Sequence, residues 1–176
     1  NQTQTRKILA LSSISHLGWM TIILMYSPKL ALLNFYLYAM MTAAVFLTLS
    51  SMKTLNLATL MTTWTKTPAL SAALMLTLLS LAGLPPLTGF LPKWLIIQEL
   101  TKQSMAPTAT IMALLSLLSL FFYLRLAHCA TITLPPHTTN HMKQWHINKP
   151  VSPLIAVLTT TSLILLPISP MILTIV

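Results

Sequence analysis

The sequence predicts an all-α protein, a polytopic bundle of about six transmembrane helices, one of them broken near Pro85 and Pro86. Hydrophobic residues make up 55% of the 176 residues and charged residues 6%, against about a quarter in soluble domains. Because so few charges cannot cover the surface of a soluble domain, the composition excludes that class. Several apolar segments also have the length of about 20 residues that a helix needs to cross a bilayer.

Three apolar segments in the first half of the chain are predicted to be membrane helices. The first is 8–26, and Pro28 separates it from the second, 30–50, because proline lacks the N–H that a helix interior needs. The third runs from 68 to about 84. A polar connection, 51–67, lies between the second and the third.

Two consecutive prolines, Pro85 and Pro86, interrupt the next apolar stretch, which resumes at once over 87–100. They remove two backbone donors and disfavour a continuous helix. The parts before and after them are together too long for one membrane span and short for two. Two tightly joined spans and one helix broken at membrane depth both fit. Broken backbone is tolerated at that depth where protein buries it or water lines it.

Two further segments complete the predicted bundle. Residues 107–127 are apolar and end in aromatic residues followed by an arginine, which is typical of an anchor at the membrane interface. A polar loop, 128–150, then holds four of the five histidines. The last span is 151–176, in which Pro167 and Pro170 are expected to bend or end the helix.

One lysine lies inside an apolar segment. The chain has ten Lys and Arg residues against one acid, Glu99, which excludes catalysis by paired carboxylates. Lys93 lies within 87–100, whereas the other bases fall in predicted loops or at helix ends. An ammonium at the bilayer centre costs about 2.5–3.5 kcal/mol on insertion scales and is typical of ion binding or proton relay. Alternatively, Lys93 lies near the membrane surface and extends to the headgroups. Glu99 is expected to pair with Lys102 at the end of the helix.

A polar face runs along the first predicted span. Ser12, Ser15, His16 and Trp19 follow one another at three- and four-residue spacing, which places them on one side of a helix. Within a membrane such a face turns toward other helices or water. His16 is a candidate proton relay because its pKa is ordinarily near neutrality, and a hydrogen-bonded packing histidine explains it equally well. Ser12 and Ser15 are candidates for the polar lining of the same path.

The sequence favours neither a metal nor a bound cofactor in this chain. His137, His141 and His146 have spacing that suggests a metal site, but the segment is predicted to be a loop without a carboxylate, and Cys129 is the single cysteine. Three glycines leave no phosphate-binding loop. The bases are dispersed, which argues against nucleic acid as a partner.

Two motif blocks identify a resemblance. Residues 1–10 and 12–19 (NQTQTRKILA and SSISHLGW) resemble a block in the antiporter-like proton-pumping membrane subunits of respiratory complex I. Residues 83–94 (GLPPLTGFLPKW) resemble a second block, later in the same family and in the same order. The resemblance covers the whole chain, and its form is similar to that of animal mitochondrial members. One departure is Leu11, where the family often has tyrosine.

The resemblance implies a core subunit of the complex I membrane arm in the mitochondrial inner membrane. The chain then looks like the C-terminal half of such a subunit, with 1–127 as part of the antiporter-like core and 128–176 as a polar loop and a terminal helix. It implies a proton half-channel coupled to electron transfer from NADH to ubiquinone. Lys93 matches the lysine of the broken late helix, which passes protons toward one side of the membrane.

The resemblance also implies the partners of this chain, namely other membrane-arm subunits and the lipid bilayer. NADH, FMN, iron–sulfur clusters and ubiquinone are expected to act elsewhere in the complex, so this chain has no redox centre. Two alternatives stay open. One is a cation/proton antiporter of the same ancestry, and the other is a structural membrane subunit.

Overall fold

A computed structural model describes residues 2–132 and 153–173, which form helices joined by turns. In chain order the helices are α1 (Thr5–Leu24), α2 (Pro28–Met52), α3 (Leu57–Met61), α4 (Thr63–Lys66), α5 (Pro68–Ala82), α6 (Phe90–Lys102), α7 (Ala106–Ile132) and α8 (Pro153–Leu173). Within these ranges there is no β-strand, only one isolated antiparallel bridge between Gln4 and Asn56. The prediction of an all-α helix bundle is therefore confirmed.

Three helices have the length and apolar character needed to cross a membrane, namely α1, α2 and α7. They correspond to the predicted segments 8–26, 30–50 and 107–127. Two shorter apolar helices, α5 and the part of α8 over Pro153–Ile164, accompany them. The described residues thus form a polytopic membrane bundle.

Helix α2 lies at the centre of the bundle and contacts α1, α5, α6 and α8. Its apolar residues face several directions, as expected of a helix that is buried on more than one side. The main hydrophobic cluster joins α2 to α5, α6 and α7 through Leu37, Met41, Val45, Leu74, Leu78, Leu81, Leu91 and Tyr123. This packing brings four separate helices around one interior.

The connection 51–67 is more ordered than its polar sequence indicated, since it contains α3 and α4. It also pairs with the start of α1. The Thr5 N–H donates to the Leu55 carbonyl at 3.1 Å, and the Leu57 N–H donates to the Thr3 carbonyl at 2.9 Å. Leu60 of α3 is buried in the main cluster. The first turn of α1 is therefore fixed against this connection.

The predicted break near the double proline is confirmed. Helix α5 ends at Ala82, and Gly83 follows with φ of +82°, a left-handed conformation that glycine adopts without steric cost. The backbone then passes through turns until α6 begins at Phe90. A Cβ on Gly89 would lie 1.8 Å from the Ser80 carbonyl oxygen, so this loop folds tightly onto α5.

The second half of the chain differs from expectation at two helix ends. Helix α7 continues to Ile132, so the first residues of the predicted loop 128–150 belong to this helix. Helix α8 remains helical through Pro167 and Pro170 to Leu173, so the expectation that a proline ends it is wrong. Membrane helices tolerate proline because neighbouring groups satisfy the freed carbonyls. Whether α8 bends there stays a prediction.

Candidate functional site

Lys93 lies in the first turn of α6, directly after the break. Its Nζ donates a hydrogen bond of 2.8 Å to the carbonyl of Ala82, the last residue of α5. Its side chain packs on Gly83, where an added Cβ would lie 3.0 Å from both Cδ and Nζ. The last carbonyls of a helix lack partners within the helix and carry partial negative charge, which favours a cation. The end of α5 therefore holds the Lys93 side chain.

The chain's single carboxylate is paired elsewhere. Glu99 Oε2 lies 3.5 Å from Lys102 Nζ, and the Lys102 side chain is 62% exposed. The predicted pair at the end of α6 is thus confirmed, and an exposed pair of this kind contributes little stability. Lys93 is consequently bound by a neutral carbonyl and not by a carboxylate of this chain.

His16 of α1 is buried with 8% of its surface exposed. Its ring centroid lies 4.8 Å from that of Tyr38 on α2, with 31° between the ring planes. His16 is also within the electrostatic range of Lys93. The two candidate relay residues, from separate predicted segments, thus interact electrostatically, and no hydrogen bond joins them among the described residues.

The predicted polar face of α1 divides into buried and exposed parts. Ser12, His16 and Trp19 are buried, whereas Ser15 is exposed. The Ser12 hydroxyl donates to the Leu9 carbonyl at 2.7 Å, and the Ser15 hydroxyl donates to the Ser12 carbonyl at 2.7 Å. Both serines satisfy their hydrogen within the helix and retain lone pairs that can accept a hydrogen bond.

An open groove of about 680 Å³ lies between α1 and α7, and we call it the α1–α7 groove. Its walls are largely apolar, and its polar side chains come from both helices: Ser12, Ser15, Ser119 and Tyr123. Both serine candidates therefore line the same surface, at the edge of the bundle interior.

Two tyrosines near His16 were not singled out from the sequence. Tyr38 contacts the His16 ring, and Tyr123 of α7 is 1% exposed. The Tyr123 hydroxyl is buried and makes no hydrogen bond of standard geometry within the described residues, although Ser12 acts on it as a weak hydrogen-bond partner and Tyr38 acts on it electrostatically. The interpretation of 121–125 as an interfacial anchor is wrong for Tyr123, because this ring is in the main hydrophobic cluster. For Tyr38, the available signal in the sequence was Asn34, a polar residue one turn earlier in an apolar segment, which the structure shows to be buried.

A cluster of hydroxyls fixes the loop of the break against α8. The Ser80 hydroxyl lies 3.2 Å from that of Thr88 and 3.3 Å from the Ser162 carbonyl. The Thr88 hydroxyl donates to the same carbonyl. The Met41 sulfur lies 3.2 Å from the Ser80 hydroxyl. These contacts hold the segment that leads into Lys93.

The histidine spacing considered as a metal site, His137, His141 and His146, lies outside the described residues, and so does the Cys129 side chain. Both interpretations stay predictions. Within 2–132 and 153–173, no three His, Cys, Asp or Glu side chains lie close enough together to hold a metal ion.

Comparisons with known proteins agree with the resemblance. Residues 1–121 match the family model described as NADH:quinone oxidoreductase/Mrp antiporter, transmembrane region. Residues 120–173 match the model for the C-terminus of NADH dehydrogenase subunit 2.

Individual relatives give the same result. The chain is 73% identical over 173 residues to NADH-ubiquinone oxidoreductase chain 2 of Struthio camelus, which covers 98% of this chain and 50% of the relative. It is 66% identical over 174 residues to the protein of that name from Gallus gallus, which covers 99% of this chain and 50% of the relative. The chain thus spans about half the length of the curated relatives it matches.

Proposed function

This chain belongs to the NADH:quinone oxidoreductase/Mrp antiporter family of transmembrane proteins, and from that premise we propose that it contributes a proton half-channel to respiratory complex I. In this proposal it works in the mitochondrial inner membrane beside other membrane-arm subunits. Electrons pass from NADH to ubiquinone elsewhere in the complex, and this chain carries no redox centre. One observation supports the role above others: Lys93 joins the two sides of the break and lies within electrostatic range of buried His16.

The bonding of Lys93 suits a group that gains and loses a proton. A lysine ammonium has three donors, and one of them bonds to the Ala82 carbonyl. The other two are left for water or another relay group. Because a neutral carbonyl holds Lys93, it can release a proton without leaving an unpaired carboxylate beside it. A buried ion pair would instead resist that change.

The proximity of His16 and Lys93 supports transfer between them. Lys93 acts electrostatically on His16 and like charges repel, so in this proposal the two groups share one extra proton. A change of charge beyond Lys93 then moves the proton from one group to the other. In the proposed mechanism, redox chemistry elsewhere in the complex supplies that change through a line of buried lysines, and Lys93 is the terminal donor.

The decisive variant is Lys93→Met in the full-length subunit within the intact complex. Methionine keeps most of the side-chain volume but removes the proton. We expect assembly to be preserved, with about a tenfold or greater loss of proton pumping and coupled NADH oxidation, since positioned proton-transfer groups contribute about 10²–10⁴-fold. The measurements are the rate of proton translocation and the rate of NADH oxidation in the assembled complex.

Lys102→Met is the matched control, because Lys102 lies on the same helix in an exposed ion pair. We expect this variant to pump normally. An unchanged rate of proton translocation in Lys93→Met would contradict the proposed role of Lys93 and favour a structural subunit.

The matched family description also includes Mrp antiporters, which supports one rival function, cation/proton exchange without electron transfer. Reconstitution of the full-length subunit without the redox arm tests this alternative. Proton flux driven by a cation gradient in such vesicles would favour the antiporter, and its absence together with loss of pumping in Lys93→Met would favour the half-channel.

A further inference from the structure

The buried hydroxyl of Tyr123 does not stabilise the fold described so far through a hydrogen bond. Tyr123 is 1% exposed, and its hydroxyl forms no hydrogen bond within residues 2–132 and 153–173. Burying a hydroxyl without a partner is unfavourable, and a phenylalanine ring would fill the same space without that cost. The hydroxyl therefore needs a hydrogen-bond partner that the packing of these helices does not provide.

Two polar side chains from two other helices act on this hydroxyl. It interacts with Ser12 of α1 and with Tyr38 of α2. The Ser12 hydrogen is donated to the Leu9 carbonyl at 2.7 Å, which leaves the lone pairs of the Ser12 oxygen free to accept. A small movement or one bridging water completes a hydrogen bond between Tyr123 and Ser12.

On one side, Tyr123 connects to the candidate relay residues. Tyr38 interacts with Tyr123 and contacts His16 at 4.8 Å between ring centroids, and His16 is within the electrostatic range of Lys93. Tyr38 also packs against the main hydrophobic cluster that contains Tyr123, so His16 and the two tyrosines lie in the same part of the bundle interior.

On the other side, Tyr123 reaches the edge of the bundle. Tyr123 and Ser12 both line the α1–α7 groove, together with exposed Ser15 and with Ser119. The four polar side chains of the groove supply the two to four polar partners that a bound water molecule needs. The only orphaned tyrosine hydroxyl among the described residues therefore lies between a buried titratable pair and an open, partly polar groove.

We propose that the Tyr123 hydroxyl relays protons between the His16–Tyr38 pair and water in the α1–α7 groove. In each transfer the Tyr123 oxygen accepts a proton from one side and releases its own hydrogen to a water molecule in the groove on the other. The hydroxyl is regenerated, and no net charge stays on the ring. This inference rests on the proposed function of Lys93 and adds to it a route from the relay pair to the edge of the bundle.

The variant Tyr123→Phe in the full-length subunit of the intact complex tests the relay, because it removes the hydroxyl and keeps the ring. Since the hydroxyl has no structural partner in the described residues, we expect assembly and thermal stability to be unchanged or improved. We expect proton pumping to fall about two- to tenfold, which is less than a full acid–base contribution because water can partly replace the hydroxyl.

Tyr36→Phe is the matched control, since Tyr36 is on α2 and is 61% exposed; it should leave pumping unchanged. If Lys93→Met lowers pumping but Tyr123→Phe does not, the relay through Tyr123 is wrong and the proposed function stands. If Lys93→Met is silent, the proposed function fails, and the relay with it. Loss of the assembled complex in Tyr123→Phe would reveal a structural partner for the hydroxyl and would also overturn the relay.

Discussion

At the scale of single residues, two glycines differ in the space around them. A Cβ on Gly89 would lie 1.8 Å from the Ser80 carbonyl oxygen, whereas a Cβ on Gly18 of α1 would meet nothing within 4 Å. Gly89 thus allows the loop of the break to touch the backbone of α5. Gly18 has no such packing role in the described residues.

We expect Gly89→Ala to destabilise the subunit by at least about 1–3 kcal/mol, because the loop must move away from Ser80 to admit the methyl group. The movement would also displace Lys93 from the Ala82 carbonyl. Thermal unfolding of the detergent-solubilised full-length subunit measures the effect.

Gly18→Ala serves as the comparison for Gly89→Ala. A methyl group in a helix at an open position is favourable by about 0.5–1 kcal/mol, so this variant should be neutral or slightly stabilising. Equal unfolding temperatures for the two variants would contradict the close approach at Gly89.

Candidate residues could be selected from the sequence where a charge falls in an apolar segment. Lys93 was identified from the sequence because a lysine within an apolar segment is exceptional. Tyr123 was not identified, because three aromatic residues in a row, Phe121 to Tyr123, do not indicate which ring turns inward. Packing decides it: Phe121 is exposed and Tyr123 is buried.

At the scale of elements, α8 and the loop of the break are joined by hydroxyls. Thr88→Val keeps the shape of the side chain and removes the donor to the Ser162 carbonyl. We expect a loss of about 0.5–1.5 kcal/mol, the usual contribution of one hydrogen bond. We also expect faster hydrogen exchange at the start of α6, where Lys93 lies, measured by mass spectrometry.

Thr101→Val is the control for this element. The Thr101 hydroxyl is exposed and donates only to the Gln98 carbonyl of its own helix, at 2.8 Å. Its loss should leave both stability and exchange near the wild-type values. Unchanged exchange at α6 in Thr88→Val would contradict the role of this contact in fixing the loop.

Long elements were easier to predict from the sequence than short ones. The approximate limits of α1, α2 and α7 followed from the lengths of their apolar segments, because the thickness of a bilayer fixes how many residues a spanning helix needs. The short helices α3 and α4 have five and four residues, which is too few for a periodic pattern. The prediction that a proline ends α8 was wrong, because the rule that proline ends helices comes from soluble proteins.

At the scale of the whole molecule, one face of α7 is apolar and exposed. Its large side chains recur at helical spacing over Leu114, Leu117 and Phe121. An apolar face of this kind on a membrane helix contacts lipid tails or a neighbouring apolar helix. This face of α7 therefore lies on the outside of the bundle.

Leu117→Asp places a carboxylate on that face. We expect insertion of α7 to become less favourable by about 3 kcal/mol, or about two orders of magnitude in the insertion equilibrium. Glycosylation mapping of α7 in microsomes measures the inserted fraction.

Ser104→Asp is the comparison, because Ser104 is exposed in the connection before α7 and has φ of 58°, a conformation that aspartate tolerates. Insertion of α7 in that variant should be normal. Equal insertion of both variants would contradict the membrane-facing position of Leu117.

The fold class of the whole molecule followed from its composition, but the way in which its helices pack together did not. Few charges and long apolar segments require a membrane bundle. Apolarity on all sides of α2 does not say which helices it will contact, and its neighbours α1, α5, α6 and α8 are selected by side-chain shape. The closeness of His16 to Lys93 depends on that selection.

The pairing between the start of α1 and residue 55 sets the rotational phase of the whole helix. The Thr5 N–H is held by the Leu55 carbonyl, and His16 lies three turns further along, about 16 Å away at 1.5 Å per residue. One residue inserted between Thr5 and Ser12 would turn everything beyond it by about 100°. Ser12 and His16 would then face outward, so a loop at one end of the bundle fixes the direction in which the interior histidine points.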